Sequence, residues 1–400
     1  LWPKRVSVDY YRPKDQYFCN YSVDVSLRDG EKIIFQYAKE FPFYYSPADD
    51  PIVRASGIAL EDSFPMIEGV HELAVLVRNS VSKEFSVYNK QIRIDKSAAP
   101  KIAGFLLGYK LGPAPPSLHS PFQVADKRLS IDPKNTFARE DDIIIAFTLI
   151  GVTRELWQSG EARLLVKGLE GTSPQEKSFE LPLNAYGFQE IMPVIYSIPA
   201  ADWGPNYYEI LLDIVSGDGR VVDEQKVHFV VSPTKLVARP VTIAKTFPLA
   251  SGYLYAFMIA DQYDKAGMNP EAAVFFDRAY AAAPEYREGA VYYANFLLKT
   301  GNPARALEVV EKLKGEDKFR FDYYLIKGKA HMSLGAYPEA IACFLEGNKI
   351  YNSDTRLLNA LGFCFYKAGK KKEALEALAS SLRLNPEQPE VKKLIAEIKK

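Results

Sequence analysis

Side chains that carry most protein chemistry are scarce in this 400-residue sequence, which has 4 histidines, 3 cysteines, 5 methionines and 3 tryptophans. His71, His119, His228 and His331 follow no metal-ligand spacing, and a zinc site needs convergent ligands. Cys19, Cys343 and Cys364 make no spaced framework, so no disulfide scaffold is expected. No nucleophile elbow, phosphate loop or dinucleotide fingerprint occurs, and Gly217-Asp218-Gly219 reads as a hairpin turn. The acidic clusters Asp49-Asp50 and Glu140-Asp141-Asp142 lack the spaced aspartates and glycine of a calcium loop, and read as solvated loop charge. Charge of one sign is also missing. With 50 basic and 50 acidic residues the formal charge is zero, which removes the pull toward nucleic acid or an anionic membrane surface. No apolar run reaches the roughly 18 residues that a membrane helix needs. The expectation is a protein that is not an enzyme and uses no metal or cofactor. The chain begins at Leu1 rather than methionine, as a processed or excised piece would.

Aromatic residues, by contrast, are plentiful, with 25 tyrosines and 23 phenylalanines. Many precede residue 50, among them Tyr10, Tyr17, Phe18, Tyr21, Phe35, Phe41, Tyr44 and Tyr45. Such rings suit a half-buried pleated surface, and a sugar-stacking platform is the sharper alternative. Tyr17, Cys19, Tyr21, Val23 and Val25 alternate as in a strand with one buried face, and Asp29-Gly30 offers a hairpin turn. Leu73, Val75 and Val77 alternate after Gly69, and Ile92 and Ile94 close a first segment over 1–96. Lys96 to Pro100 reads as a short linker. A second segment spans 97–236. Its apolar run Ile143–Ile150 has the length and the isoleucines of a buried strand. Tyr208, Ile210, Leu212 and Ile214 alternate after Gly204, and Val227 to Val231 returns the chain. Leu111 to Pro121, with four prolines, reads as a loop or edge crossing. Two tandem β-sandwiches of immunoglobulin-like type fit this pattern. Residues 237–252 read as linker and lead-in, with a junction near Ser232 to Pro240 where periodicity fades.

The remainder keeps time at 34 residues. Gly267, Gly301, Gly335 and Gly369 form one column, and Ala272, Ala306, Ala340 and Ala374 a second. Ala260, Ala294, Gly328 and Gly362 make a third; Ala279, Gly347 and Ser381 make a fourth, which Leu313 breaks. Such columns mark stacked helical hairpins, because antiparallel helices approach closely only over small side chains and glycine permits the turn between them. On these residues, with Tyr263, Phe276 and Pro284 in the first repeat and Leu361, Phe365 and Pro386 in the fourth, the stretch resembles the tetratricopeptide repeat family. Four repeats follow: 253–286, 287–320, 321–354 and 355–388. Pro389 to Lys400 reads as an amphipathic capping helix, with Val391, Leu394, Ile395 and Ile398 on one face. The strand-rich part is similar to bacterial extracytoplasmic proteins of the GWxTD type, some of which join sandwiches and tetratricopeptide repeats in one chain. The naming motif itself is absent, since Asp202-Trp203-Gly204 does not match it. This second resemblance implies a periplasmic or cell-surface location, and nothing about activity carries over from it.

The first resemblance implies a binding function. In that family the second, fifth, ninth, twelfth and thirteenth positions of each repeat face the ligand. Carried over, they include Phe257 and Asp261 in the first repeat, and Val291, Asn295, Leu298 and Lys299 in the second. The third supplies Asp322, Leu325, Lys329 and Met332, and the fourth Arg356, Asn359, Phe363 and Tyr366. Asn295 and Lys329 match part of the clamp with which chaperone-binding members hold a terminal carboxylate, but its other basic members are missing, so that ligand is not expected. What remains is an apolar strip, Phe257, Val291, Leu298, Leu325, Met332, Phe363 and Tyr366, with a polar border. Exposed, it would take a peptide or amphipathic helix of a partner protein; covered, it would pack on the chain's own strand-rich part or on a second copy. The leading expectation is a protein–protein interaction scaffold. The alternative is a carbohydrate-binding or adhesion protein that uses the aromatic sheet, and a third reading makes the chain part of an enzyme whose catalytic domain precedes Leu1.

Overall fold

A computed structural model describes residues 7–82, 84–95, 100–171 and 175–400. Residues 96–99 of the expected linker lie outside this set. Contacts divide the chain into a strand-rich unit, Leu1–Phe64 with Glu68–Ser251, and a helical unit, Pro65–Ile67 with Gly252–Lys400.

The strand-rich unit opens with β1 (Asp9–Tyr11), β2 (Gln16–Asp29) and β3 (Lys32–Tyr45), followed by helix α1 (Asp50–Ser56) and β4 (Ile58–Glu61). β5 (Gly69–Asn79) and β6 (Phe85–Ile94) complete a five-stranded antiparallel sheet in which β2 pairs with β1, β3 and β5. The alternation along β2 turns Cys19, Tyr21, Val23 and Val25 inward, where they meet Phe41, Tyr45, Val53 of α1 and Ile58 of β4. Most of the early aromatic run lines this core. Tyr10, Tyr11 and Tyr44 are the exposed exceptions among those rings.

Next come β7 (Lys101–Gly108), β8 (Lys110–Pro113), β9 (Leu118–His119), β10 (Gln123–Val124), β11 (Lys127–Ser130), β12 (Thr136–Phe137) and β13 (Asp142–Ile150). Helix α2 (Arg154–Ser159) precedes β14 (Glu161–Gly168), β15 (Glu176–Pro182), β16 (Ile191–Pro199), β17 (Asn206–Val215) and β18 (Val221–Val231). Two sheets, β16-β13-β7 and β12-β18-β17-β14-β15, share one core. Ile143, Ile145 and Phe147 enter it from one side, and Leu164, Val166, Ile210 and Leu212 from the other. The opposite face of β13 is covered as well. Ile144 and Ala146 pack against Val124 and Leu129 of the β8–β10–β11 sheet. Burial on both faces explains why Ile143–Ile150 reads as a run and not as an alternation.

The stretch expected as linker is ordered chain. β19 (Val241–Ala244) pairs in parallel with β4, and β20 (Phe247–Pro248) pairs antiparallel with β9. Val241 and Ile243 pack against the core of the first sheet. Just before them Arg239 spans two carboxylates, with a 2.8 Å ion pair to Asp132 and another to Asp141, and its guanidinium lies 4.1 Å from the ring centre of Tyr109. Within residues 232–240 Arg239 makes this tie, and a single such contact leaves no repeating pattern in the sequence.

In the helical unit the hairpins are α3 (Tyr253–Ala266) with α4 (Asn269–Ala282), α5 (Arg287–Lys299) with α6 (Pro303–Val310), α7 (Arg320–Ser333) with α8 (Tyr337–Ile350), and α9 (Thr355–Lys367) with α10 (Lys371–Leu384). The glycine column ends each first helix with φ of 84°, 79°, 76° and 78° at Gly267, Gly301, Gly335 and Gly369, a region that side chains rarely adopt. Within the crossings the constraint is space. A Cβ on Gly328 would lie 2.5 Å from the Phe344 ring, and one on Gly362 would lie 2.6 Å from Leu378. Ala272, Ala306, Ala340 and Ala374 are fully buried. Leu313 breaks its column without a clash because α6 stops at Val310 and a 3₁₀ turn, Glu311–Leu313, carries the leucine onward. The last helix, α11 (Pro389–Ile398), buries Val391 and Ile398 against the fourth hairpin's core, with Leu394 and Ile395 beside them.

Candidate partner-binding face

The first helices α3, α5, α7 and α9 carry the expected inner positions. Phe257 and Leu325 are buried, so these two serve the packing of the array. Phe257 lies edge-on to Phe276, with ring centres 6.2 Å apart, and a Cβ on Gly289 would meet its ring. Leu325 belongs to the core of the third and fourth hairpins. Val291, Leu298, Met332, Phe363 and Tyr366 are half-buried. Of these, Met332, Phe363 and Tyr366 pack on the edge of that same core. The strip therefore contains two core residues and five that keep surface.

Its polar members form short-range pairs. Lys265 reaches Asp261 at 2.6 Å, one helical turn away. Burial pushes the Asp261 carboxyl above its ordinary value against the pull of Lys265. Lys299 of the second repeat bridges to Asp264 of the first at 2.6 Å, so this rim pair spans two hairpins. Asn295 is exposed, and its side chain donates to the Val291 carbonyl at 2.9 Å.

A second group gathers where the third and fourth repeats meet. Asp354 caps α9 by accepting from the Leu357 amide at 3.0 Å, and it also pairs with Arg356. Burial raises the Asp322 carboxyl, which Arg356 partly offsets. Burial, and next the Arg356 charge, lower the Lys329 amine below its ordinary value. Among the described residues no ion pair closes on Lys329. The field of Asp354 favours its charge in this half-buried place, and that of Arg356 opposes it.

The capping helix claims part of the fourth repeat. Tyr366 donates to Glu397 at 2.9 Å, and Asn359 donates to Gln388 at 2.8 Å. Gln388 in turn donates to the Ser381 carbonyl at 3.1 Å. Sequence reading missed Gln388, because a glutamine between the repeats and the cap belongs to no column. Elsewhere among the described residues, no cluster of three histidine, cysteine, aspartate or glutamate side chains could hold a metal, and no helix is long and apolar enough to cross a membrane.

The model of a family described as anaphase-promoting complex, cyclosome, subunit 3 matches residues 265–347. A comparison with curated proteins finds no match. Among solved structures, a MamA protein is 18% identical over 38% of this chain and 82% of its own, with a TM-score of 0.35. A thermophilic TPR protein of Thermus thermophilus is 20% identical over 36% of this chain and 80% of its own, with a TM-score of 0.33. The APC/C hetero-tetramer Cut9–Hcn1 is 15% identical over 37% of this chain and 30% of its own, with a TM-score of 0.35. The family match and the period-34 hairpins agree: the helical stretch is a tetratricopeptide-repeat segment.

Proposed function

We propose that this protein is a non-enzymatic scaffold that recruits another protein to the inner face of its helical array. The observation that carries this reading is the half-buried strip of Val291, Leu298, Met332 and Phe363 beside Lys329, on which no ion pair closes among the described residues. Apolar surface in contact with water favours a partner that covers it, and Lys329 favours one that brings a carboxylate to the same place. A peptide or helix with an aliphatic or aromatic anchor next to an acidic side chain meets both demands. The matched family model describes a subunit of a multiprotein complex, in keeping with a recruiting role.

The test uses the full chain as bait. Leu298→Ser with Lys329→Glu should weaken capture of a protein partner from the source organism about thirtyfold, with the helical circular dichroism unchanged. Capture that persists undiminished would remove the inner face from the reading. Tyr44→Ala should leave capture intact. The carbohydrate reading keeps one supporting feature, the Phe18–Tyr44 ring pair, 4.6 Å between centres on the outer side of the first sheet. Loss of glycan binding on Tyr44→Ala, together with normal protein capture by the inner-face variant, would transfer the function there.

The finer architecture follows the same logic. We infer an immunoglobulin-like sandwich in the second β segment, supported by the sheet orders β16-β13-β7 and β18-β17-β14-β15. Tyr208, near the start of the penultimate strand, donates its hydroxyl back to the Gly204 carbonyl at 2.8 Å, as a tyrosine corner does. In the first segment, the layer facing the five-stranded sheet is α1 with the β4–β19 pair, so the tandem-sandwich reading has less support there. An extracytoplasmic location remains part of the proposal and rests on the resemblance alone.

A further inference from the structure

The period-34 column through Gln262 continues at Phe296, Ala330 and Cys364. The later three are buried apolar residues. Phe296 shows what the column does, since its ring lies 4.8 Å from Phe276 of the hairpin before it. This is the stacking column, distinct from the inner-face positions, and in the first repeat it has no earlier hairpin to meet. There the sequence places a glutamine. Gln262 is nonetheless 0% exposed. Three residues from far away in the chain, Pro65–Ile67, cluster with the helical unit and cover it. The Gln262 carboxamide donates from Nε2 to the Pro65 carbonyl at 2.9 Å and accepts at Oε1 from the Ile67 amide at 3.2 Å. Ile67 is 2% exposed.

We propose that the open face of the first repeat is a docking site for an extended peptide, and that Pro65–Ile67 is its resident occupant in cis. On an extended chain the carbonyl before a residue and the amide after it point to the same side, so one carboxamide satisfies both backbone groups around Met66. The recognition is thus of main chain, with the buried aliphatic side chain of Ile67 as anchor and no polar reading of the middle position. Phenylalanine, alanine or cysteine at 262, as in the other repeats, would leave the two backbone groups without this partner, a loss that buried polar groups rarely bear. The glutamine is therefore the one member of its column matched to a peptide rather than to a hairpin. The chemistry that fits is an extended peptide read through one backbone carbonyl and the amide two residues on, with an aliphatic side chain at that second residue. This inference does not depend on the inner face, and either can fail while the other stands.

The probe is a fluorescein-labelled peptide, Asp-Ser-Phe-Pro-Met-Ile-Glu-Gly, identical to residues 62–69. The natural full chain should not bind it, because the site is filled. A full chain carrying Pro65→Gly, Met66→Ser and Ile67→Gly should bind it, and adding Gln262→Ala should weaken that binding about tenfold or more. A folded triple variant that ignores the peptide overturns the proposal, as does equal affinity with and without Gln262. Should the triple variant not fold, hydrogen exchange of the single Gln262→Ala variant decides instead. The Ile67 amide should then exchange about tenfold faster or more, while amides of α7 to α10 keep their protection. An Ile67 amide unchanged in that variant overturns the proposal as well.

Discussion

In the helical unit each helix packs on its neighbour in sequence, α7 on α8 and α8 on α9, whereas the strand-rich unit joins its local hairpins, such as β2–β3 and β17–β18, through pairings between distant segments. β19 at Val241–Ala244 finds its partner β4 at Ile58–Glu61, and Arg239 reaches back to Asp132 and Asp141. The difference teaches where order is written. A contact repeated at a fixed interval leaves a column of residues, while a contact made once leaves a single arginine or a four-residue strand that resembles any other.

The comparison is broken most severely at Arg239. Arg239→Ala leaves the buried Asp132 and the half-buried Asp141 without their cation and should destabilise the strand-rich unit by about 3 kcal/mol. Hydrogen exchange should speed up through 132–141 and 232–244, and new protease cleavage should appear near Pro240. Unaltered exchange there would mean that the distant tie is decoration. Next in size is Ala340→Leu, which inserts bulk into the crossing of α7 and α8 and should cost about 1–3 kcal/mol. Because neighbouring hairpins are coupled, melting should shift across the array and not only within the third repeat. A shift confined to α8 would refute the local-coupling half of the comparison.

Gln388→Ala tests the cap. It removes the acceptor for Asn359 and the donor to Ser381, so about 1 kcal/mol should be lost, read as faster exchange in α11. The smallest expected effect concerns Asp322. Burial raises its folded-state pKa above the unfolded value, so the folded state holds the proton more tightly. Its contribution favours folding at low pH and is lost as pH rises through the folded pKa. Asp322→Asn should therefore raise the array's melting temperature by a small margin at pH 7, and the gain should shrink as pH falls toward 4. A gain that is independent of pH would exclude burial of the charge as its cause.

How much of this was legible differs by residue. The glycine and alanine columns gave the hairpin boundaries, because turn geometry and helix spacing recur with the repeat. Phe257 and Leu325 were legible as apolar inner-face residues but not as core, since position alone cannot tell a ligand contact from a packing contact. Leu313 looked like a defect, yet the early end of α6 absorbs it. Gln262 was invisible for the opposite reason: its meaning depends on Pro65–Ile67, which no periodicity links to it. In the strand-rich unit the alternation along β2 with the Asp29-Gly30 turn announced the β2–β3 hairpin, and the run of β13 announced a strand, but neither could name its more distant neighbours.

By itself, then, the sequence determined a helical-repeat segment with its register, its turns and its capping helix, because those features arise from spacing along one chain. It also determined that strands precede the helices, through residue type and period. Only the tertiary structure decided which distant strands pair, that Val241–Ala244 complete the first sheet's second layer, that Arg239 joins two distant carboxylates, and that a tripeptide closes the first repeat. The reason is physical. Local order is governed by backbone geometry and side-chain size at fixed intervals, whereas these remote contacts depend on chain closure, which folding settles once and which leaves no period to read.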